Sequence, residues 1–217
     1  MLSKGHAGPG LYSALSVFGY FPEAELATMN DGGTRFPSHP DRTRTPGVDA
    51  TTGSLGQGIS VAAGLGYALK LDGRDQYVYA IVGDGELNEG QCWEAFQFIA
   101  NYRLNHVIVM IDENKRQLDG FTRDIMNPFD IAKKMEAFGF AVRRVDGADE
   151  AAISDAIDWA KGVQDSAVCV VLYTVKGQGV KYFEDMADNH SVKFKAADLE
   201  EVDRALAALE KVYGGEC

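Results

Sequence analysis

Hydrophobic positions along the chain alternate between two rhythms. Leu11, Ala14, Leu15 and Phe18 fall at i, i+3, i+4 and i+7, which predicts an early helix with one apolar face. Pro22 opens a second short helix, Glu23 to Met29, and Asp31-Gly32-Gly33 breaks it. Thr34 to Val48 reads as a loop rich in Pro, Arg and Thr, and structureless connections of that length are often functional. A helix follows over Leu55 to Leu71. Its Gly58, Ala62 and Gly66 form a face with almost no side chains, which admits another backbone closely or makes the surface sticky toward a second copy.

From Tyr77 onward, short β-rich runs alternate with helical periods. Strands are expected over Tyr77–Val82, His106–Ile111, Ala141–Val145 and Val168–Val175. The second and fourth are apolar throughout, as in strands buried on both faces of a parallel sheet. Between the first and second strands lies a helix from Gln91 to Tyr102, carrying Trp93, Phe96 and Ile99. Another starts at Asn127-Pro128 and ends at Gly139. A third runs through Ile153, Ile157 and Ala160 and stops at Gly162. Within the segment 195–217 a last helix begins at Asp198 and buries Leu199, Val202, Leu206 and Leu209. The alternation implies an α/β fold, a parallel β-sheet sandwiched by helices, with all 217 residues in a single domain. Ligands of such folds bind beyond the carboxyl ends of the strands.

Composition narrows the function classes. A net charge of −11 argues against nucleic acid, whose phosphates recruit basic surfaces. No apolar run is long enough to span a bilayer, and Met1 to Gly10 lack a signal peptide's apolar stretch, so a cytoplasmic protein is expected. The 3 cysteines, Cys92, Cys169 and Cys217, have no metal-ligand spacing and read as reduced thiols.

The chemistry centres on Gly83-Asp84-Gly85, directly after the first strand, and on Asn114, just after the second. One helix separates the strands, so they run parallel and both ends point the same way. Asp84 and Asn114 can then converge as hard oxygen ligands. Magnesium takes few protein oxygens and completes its shell with water and substrate phosphates. Gly83 and Gly85 clear space for a diphosphate, and a helix N-terminus just downstream favours negative charge. A bare Gly-Asp-Gly is also a common turn; the strand–helix–strand setting and the Asn favour a magnesium diphosphate site.

Four ordered segments carry a resemblance to a family. GDGELNEGQCWEA (83–95) with DEN (112–114) resembles the thiamine diphosphate signature of transketolases. LSKGHAGPGLYSAL, TTGSLGQGISVAAG (51–64) and KGQGV (176–180) are similar to transketolase segments in the same order. The resemblance implies thiamine diphosphate with Mg2+ (or Ca2+ or Mn2+), the metal held by Asp84, Asn114 and the backbone carbonyl of Arg116. It implies cofactor contacts from His6, Gly53, Ser54, Leu55, Gly83, Gly85, Glu86, Lys176 and His190. Leu55 would wedge the cofactor into a bent shape, or else is a core leucine at a helix entry. Lys176 would meet a phosphate, or else is a solvated loop lysine. His6, His39 and His190 fall in segments that match catalytic histidines of the family, whereas His106 has no match and reads as structural. Glu89 and Glu94 would sit between two cofactor sites and share protons, or else simply favour a helix dipole.

The glutamate that activates the cofactor in this family belongs to a second, pyrimidine-binding domain. The resemblance therefore implies the N-terminal subunit of a split transketolase. A C-terminal subunit would complete it as a heterotetramer, acting on sugar phosphates in the pentose phosphate pathway and transferring a two-carbon glycolaldehyde unit. Whether the chain alone forms a homodimer stays open. The family also has several dozen residues ahead of the SKGH motif, including another active-site histidine, where this sequence starts at Met1; their loss would weaken substrate binding or dimer packing before the fold. Deoxyxylulose-phosphate synthase-like and 2-oxoacid dehydrogenase-like subunits share the Asp–Asn logic, and a truncated, non-enzymatic paralogue acting as an interaction protein is a third alternative.

Overall fold

The computed structural model describes residues 1–213, so Cys217 lies outside the described residues. In chain order the helices are α1 (Gly8–Val17), α2 (Gln57–Leu71), α3 (Gly90–Asn101), α4 (Thr122–Ile125), α5 (Ile131–Ala137), α6 (Glu150–Gly162), α7 (Lys181–Asp185) and α8 (Ala196–Tyr213). The strands are β1 (Val78–Gly83), β2 (Val107–Glu113), β3 (Arg116–Gln117), β4 (Gly120–Phe121), β5 (Phe140–Asp146) and β6 (Ala167–Tyr173). Strands β1, β2, β6 and β5 lie side by side in that order, and every pairing is parallel. The small β3–β4 hairpin is a separate antiparallel pair that the apolar pattern did not announce.

Side chains of the central strands alternate between two cores. Val82, Val109, Ile111, Cys169 and Val171 face α2, α3 and α5. Ile108, Met110, Val168, Val170 and Leu172 face the α6 side. Both faces being covered is why these strands read as unbroken apolar runs. A third cluster, Tyr12, Phe21 and Phe36, anchors α1 and the loop after it. No helix among the described residues is long and apolar enough to cross a membrane.

Four expectations need correction. On α1 the buried side chains are those of Tyr12 and Leu15, beside Gly8, while Ala14 is exposed and Phe18 is 80% exposed. The helix expected at Asn127 begins instead at Ile131, because Asp130 caps it by accepting from Lys133 N; Asn127 folds onto Phe129 N in a local turn. On α8, Leu199, Leu206 and Leu209 are about half exposed rather than buried. The segment Glu23–Thr28 is helical, but as a 3-10 turn.

The small-residue face of α2 points inward. A Cβ on Gly58 would stand 2.6 Å from Ser3 Cα, and one on Gly66 would stand 2.1 Å from Val107 Cγ2. The face thus receives the N-terminal segment and β2, not a second molecule. Gly58→Ala is expected to cost about 1–3 kcal/mol by overpacking. Thermal denaturation should show a melting temperature several degrees lower, and an unchanged melt would mean Ser3 moves aside freely.

The first residues run beside β1. Leu2 bridges Ile81 in parallel, and Ser3 N donates to Ile81 O at 2.8 Å. Running parallel to the sheet, they deliver Lys4 and His6 to the end where β1, β2 and β6 finish.

Candidate active site

At the carboxyl ends of β1, β2 and β6 lies a cleft of about 350 Å³. Asp84, the residue after β1, is 1% exposed. Its carboxylate accepts from Gly85 N at 2.8 Å and from Lys115 N at 2.6 Å. Lys115 has φ +63°, a left-handed turn just after Asn114 that aims its N–H back at Asp84. The main-chain N–H of Asp84 donates to Asp112 O at 3.0 Å, a continuation of the β1–β2 ladder. Burial pushes the Asp84 carboxyl up to about 7, against the two N–H donors that lower it. Asn114 Oδ1 accepts from Arg116 N at 3.0 Å, and its Nδ2 donates to Asp112 Oδ2 at 3.1 Å.

Cationic groups stand across from these oxygens. Lys176 Nζ lies 2.7 Å from His190 Nδ1, and the His190 and His6 rings have centroids 5.0 Å apart. Burial, and then the neighbouring Lys4 ammonium, hold Lys176 below the usual lysine range. Partial burial and then His190, Lys4 and Lys176 push His6 down to about 4. At neutral pH the His6 ring is therefore uncharged and can accept a proton or a hydrogen bond. Because folded His6 binds protons only below about 4, whereas an unfolded one does so below about 6.5, it withdraws stability as the pH falls through that window. NMR of the histidine ring protons, assigned with His6→Gln, should show His6 titrating near pH 4; a midpoint near 6.5 would mean its neighbours do not act on it.

The residues singled out in the sequence fall into this cleft with two exceptions. Lining it are His6, His39, Gly53, Leu55, Gly83, Asp84, Gly85, Glu86, Glu89, Asn114, Arg116, Lys176 and His190. Gly53 has φ +141°, and a Cβ there would meet the His39 ring at 2.8 Å, so glycine lets His39 close over the loop. Ser54 and Glu94 are exposed and stand outside the lining. Glu89 occupies the position just before α3, makes no side-chain hydrogen bond to the helix end, and is exposed at the cleft. The Glu86 carboxylate, 2% exposed, is occupied within the chain by Ser3, Gly56 and Gly83. His106 stacks on Tyr77 at 4.6 Å and does not line the cleft. Cys92 and Cys169 are free and buried, and burial raises Cys92 to about 12.

Sequence reasoning missed Lys4, Asp112 and Thr174. Lys4 Nζ pairs with Asp112 Oδ2, and Thr174 Oγ1 donates to Asp112 Oδ1. The signal was available: Lys4 lies inside the SKGH segment, Asp112 opens DEN, and Thr174 follows β6 at the same end of the sheet.

These residues fit a divalent cation with a diphosphate. The donor set is one buried carboxylate and one amide oxygen, and among the described residues no cluster of three or more His, Cys, Asp or Glu could hold a metal alone. A cation that draws its remaining ligands from phosphate and water suits such a set. Among the described residues no cationic side chain is bonded to the buried Asp84, while Lys4, Lys176 and the two imidazoles crowd one another. An anion with a bound cation relieves both conditions.

Comparisons with known proteins give the chain's relatives. The family model described as "Transketolase, thiamine diphosphate binding domain" matches residues 1–211. The chain is 45% identical over 213 residues to the 6-deoxy-6-sulfo-D-fructose transketolase subunit SqwG of Clostridium sp. (strain MSTE9), covering 97% of this chain and 76% of that one. It is 39% identical to an apulose-4-phosphate transketolase subunit from Actinobacillus succinogenes, covering 96% of this chain and 74% of that one. The crystal structure of transketolase from Campylobacter jejuni superposes with a TM-score of 0.84 at 27% identity, over 95% of this chain and 33% of the larger one.

Proposed function

The chain belongs to the transketolase family, as its thiamine diphosphate binding domain and as one subunit of a transketolase-type transferase, and we propose how its residues share the work with a partner. In this proposal residues 1–217 form one diphosphate-binding domain, completed by a C-terminal, pyrimidine-binding subunit in a heterotetramer. The reaction is transfer of a two-carbon glycolaldehyde unit from an anionic ketose to an aldose phosphate. The observation that carries the proposal is that Asp84 and Asn114, just beyond the ends of two hydrogen-bonded parallel strands, line one cleft together with Lys176, His6 and His190.

Asp84, the Asn114 amide oxygen and the Arg116 carbonyl would hold Mg2+, with Ca2+ or Mn2+ as substitutes. Lys176 would bind the diphosphate, and Leu55 would pack on the cofactor's apolar parts. Bound thiamine diphosphate supplies the carbon nucleophile for a ketose carbonyl. His6, uncharged at neutral pH, and His190 would accept and return protons on sugar hydroxyls, with His39 lining the same cleft. The partner would supply the activating glutamate and the groups that grip the sugar's anionic end. The names of the two bacterial relatives specify a sulfo sugar and a sugar phosphate, which favours an anionic sugar of that kind over a fixed place in the pentose phosphate pathway.

The test is co-expression with the partner subunit. The pair should turn over an anionic ketose with an aldose phosphate only when both Mg2+ and thiamine diphosphate are present, and the lone chain should be inactive. Activity without a second chain would overturn the split arrangement. A pair indifferent to both cofactors would overturn the function.

A further inference from the structure

Asp112 belongs to no ligand set above, yet it meets several parts of the cleft at once. It lies near the end of β2, opposite Gly83 of β1. Its main-chain carbonyl accepts from Asp84 N at 3.0 Å. One carboxylate oxygen accepts from Lys4 Nζ and from Asn114 Nδ2, the latter at 3.1 Å. The other accepts from Thr174 Oγ1. Both oxygens of this carboxylate therefore act as acceptors, bonded to an ammonium, an amide and a hydroxyl.

A carboxylate whose two oxygens are both taken up by donors accepts, and a main-chain N–H can only donate. The Asn114 side chain sits between one of each: Asp112 takes its NH2, and Arg116 N–H takes its oxygen at 3.0 Å. The two bonds settle which end of the amide is which. Turned over, the amide would set NH2 against Arg116 N–H and oxygen against the carboxylate, two repulsions in a part-buried place. Oδ1 has a second lone pair beyond the one used by Arg116, and that lone pair is what a cation needs. A neutral or apolar residue at 112 removes half of the constraint and offers the amide its reverse orientation, whose N–H groups repel a cation.

We propose that Asp112 is a positioning residue for the metal diphosphate: its carboxylate fixes the Asn114 amide with oxygen available for the cation, while its carbonyl holds the backbone of Asp84. The inference rests on the reading that Asp84 and Asn114 bind a cation. It adds a requirement on a residue that touches neither cation nor substrate.

The experiment uses the chain together with its partner and follows Mn2+ binding in the presence of thiamine diphosphate, with free Mn2+ read by electron paramagnetic resonance. Asp112→Asn should weaken Mn2+ about ten- to a hundredfold, the usual cost of losing a group that orients a metal ligand. Combining Asp112→Asn with Asn114→Asp reverses the polarity of the bond: the new amide at 112 donates to the new carboxylate at 114. This double variant should recover most of the affinity. An unchanged Mn2+ constant in Asp112→Asn, even with a lower melting temperature, would reduce Asp112 to a structural ion pair and overturn the proposal. If the single variant does not fold, the double variant decides: folded with Mn2+ affinity near that of the unsubstituted pair supports the proposal, and folded without it overturns it. A measurement on the unsubstituted chain stands beside these. The Asn114 side-chain NH2, assigned by NMR through its loss in Asn114→Asp, should exchange slowly with water, whereas exchange at a free amide's rate would overturn the fixed orientation. Failure of the unsubstituted pair to bind Mn2+ at all would strike the cation site itself and take this inference with it; normal binding with an indifferent position 112 would strike only the inference.

Discussion

Asp84→Ala should abolish turnover of the assembled enzyme, by at least about a thousandfold, while leaving the fold in place. The expectation follows from what the carboxylate does and does not hold. Among the described residues it accepts only from the Gly85 and Lys115 N–H groups, both beside the cleft, where water can replace it. Burial pushes its carboxyl up to about 7, so the charged form is held against its surroundings, and truncation relieves that cost. Against this stands the loss of the one buried carboxylate offered to a cation. A thousandfold loss corresponds to about 4 kcal/mol of transition-state stabilisation, within the several kcal/mol ascribed to a bound metal. Circular dichroism should show melting within a few degrees of the unsubstituted chain. Chelation should silence the unsubstituted pair and added Mg2+ restore it, whereas the variant should respond to neither. A variant with normal activity would mean the cation is held elsewhere, and one that fails to fold would make Asp84 a structural residue.

Much of this was legible because the sheet is parallel and buried on both faces. Continuous apolar runs located β2 and β6, and parallel crossovers forced their ends to one side, so the residues after the strands had to share a cleft. Where the sequence misled, the reason is equally physical. Leu199, Leu206 and Leu209 repeat with a helical period, but periodicity gives the direction of a face and not what covers it, and in this chain they remain about half exposed. At Asn127 the side chain could cap a helix or close its own turn; the competing cap at Asp130 won, immediately ahead of Ile131 and Ala132, the first buried residues of α5. The bare face of α2 promised close approach but not by whom; Ser3, far away in sequence, fills it. Lys4, Asp112 and Thr174 were missed because each matters through a partner on another segment, which a linear reading does not bring together.

Glu86 shows the same limit most sharply, and gives the second large effect. It sits two residues from Asp84 in the same motif and lines the same cleft, so cofactor contact was expected of it. Its carboxylate is instead a junction: Oε1 accepts from Ser3 Oγ at 2.6 Å and Gly56 N at 2.9 Å, and Oε2 accepts from Gly83 N at 3.1 Å. These donors belong to the N-terminal segment, the loop that starts α2 and the end of β1. Glu86→Ala orphans all of them in a place that is 2% exposed. Leaving a buried donor unsatisfied costs about 1–3 kcal/mol, so three of them sum to about 3–5 kcal/mol after partial relaxation, which in a domain of this size lowers the melting temperature by roughly 10 °C. Glu86→Gln keeps one accepting oxygen but turns an NH2 toward a donor, so it should lose about 1–3 kcal/mol. The neighbours thus separate by experiment: the change at 84 removes activity with little effect on stability, and the change at 86 removes stability first. A Glu86→Ala chain that melts normally but no longer binds thiamine diphosphate would reverse the assignment and make this carboxylate a ligand after all.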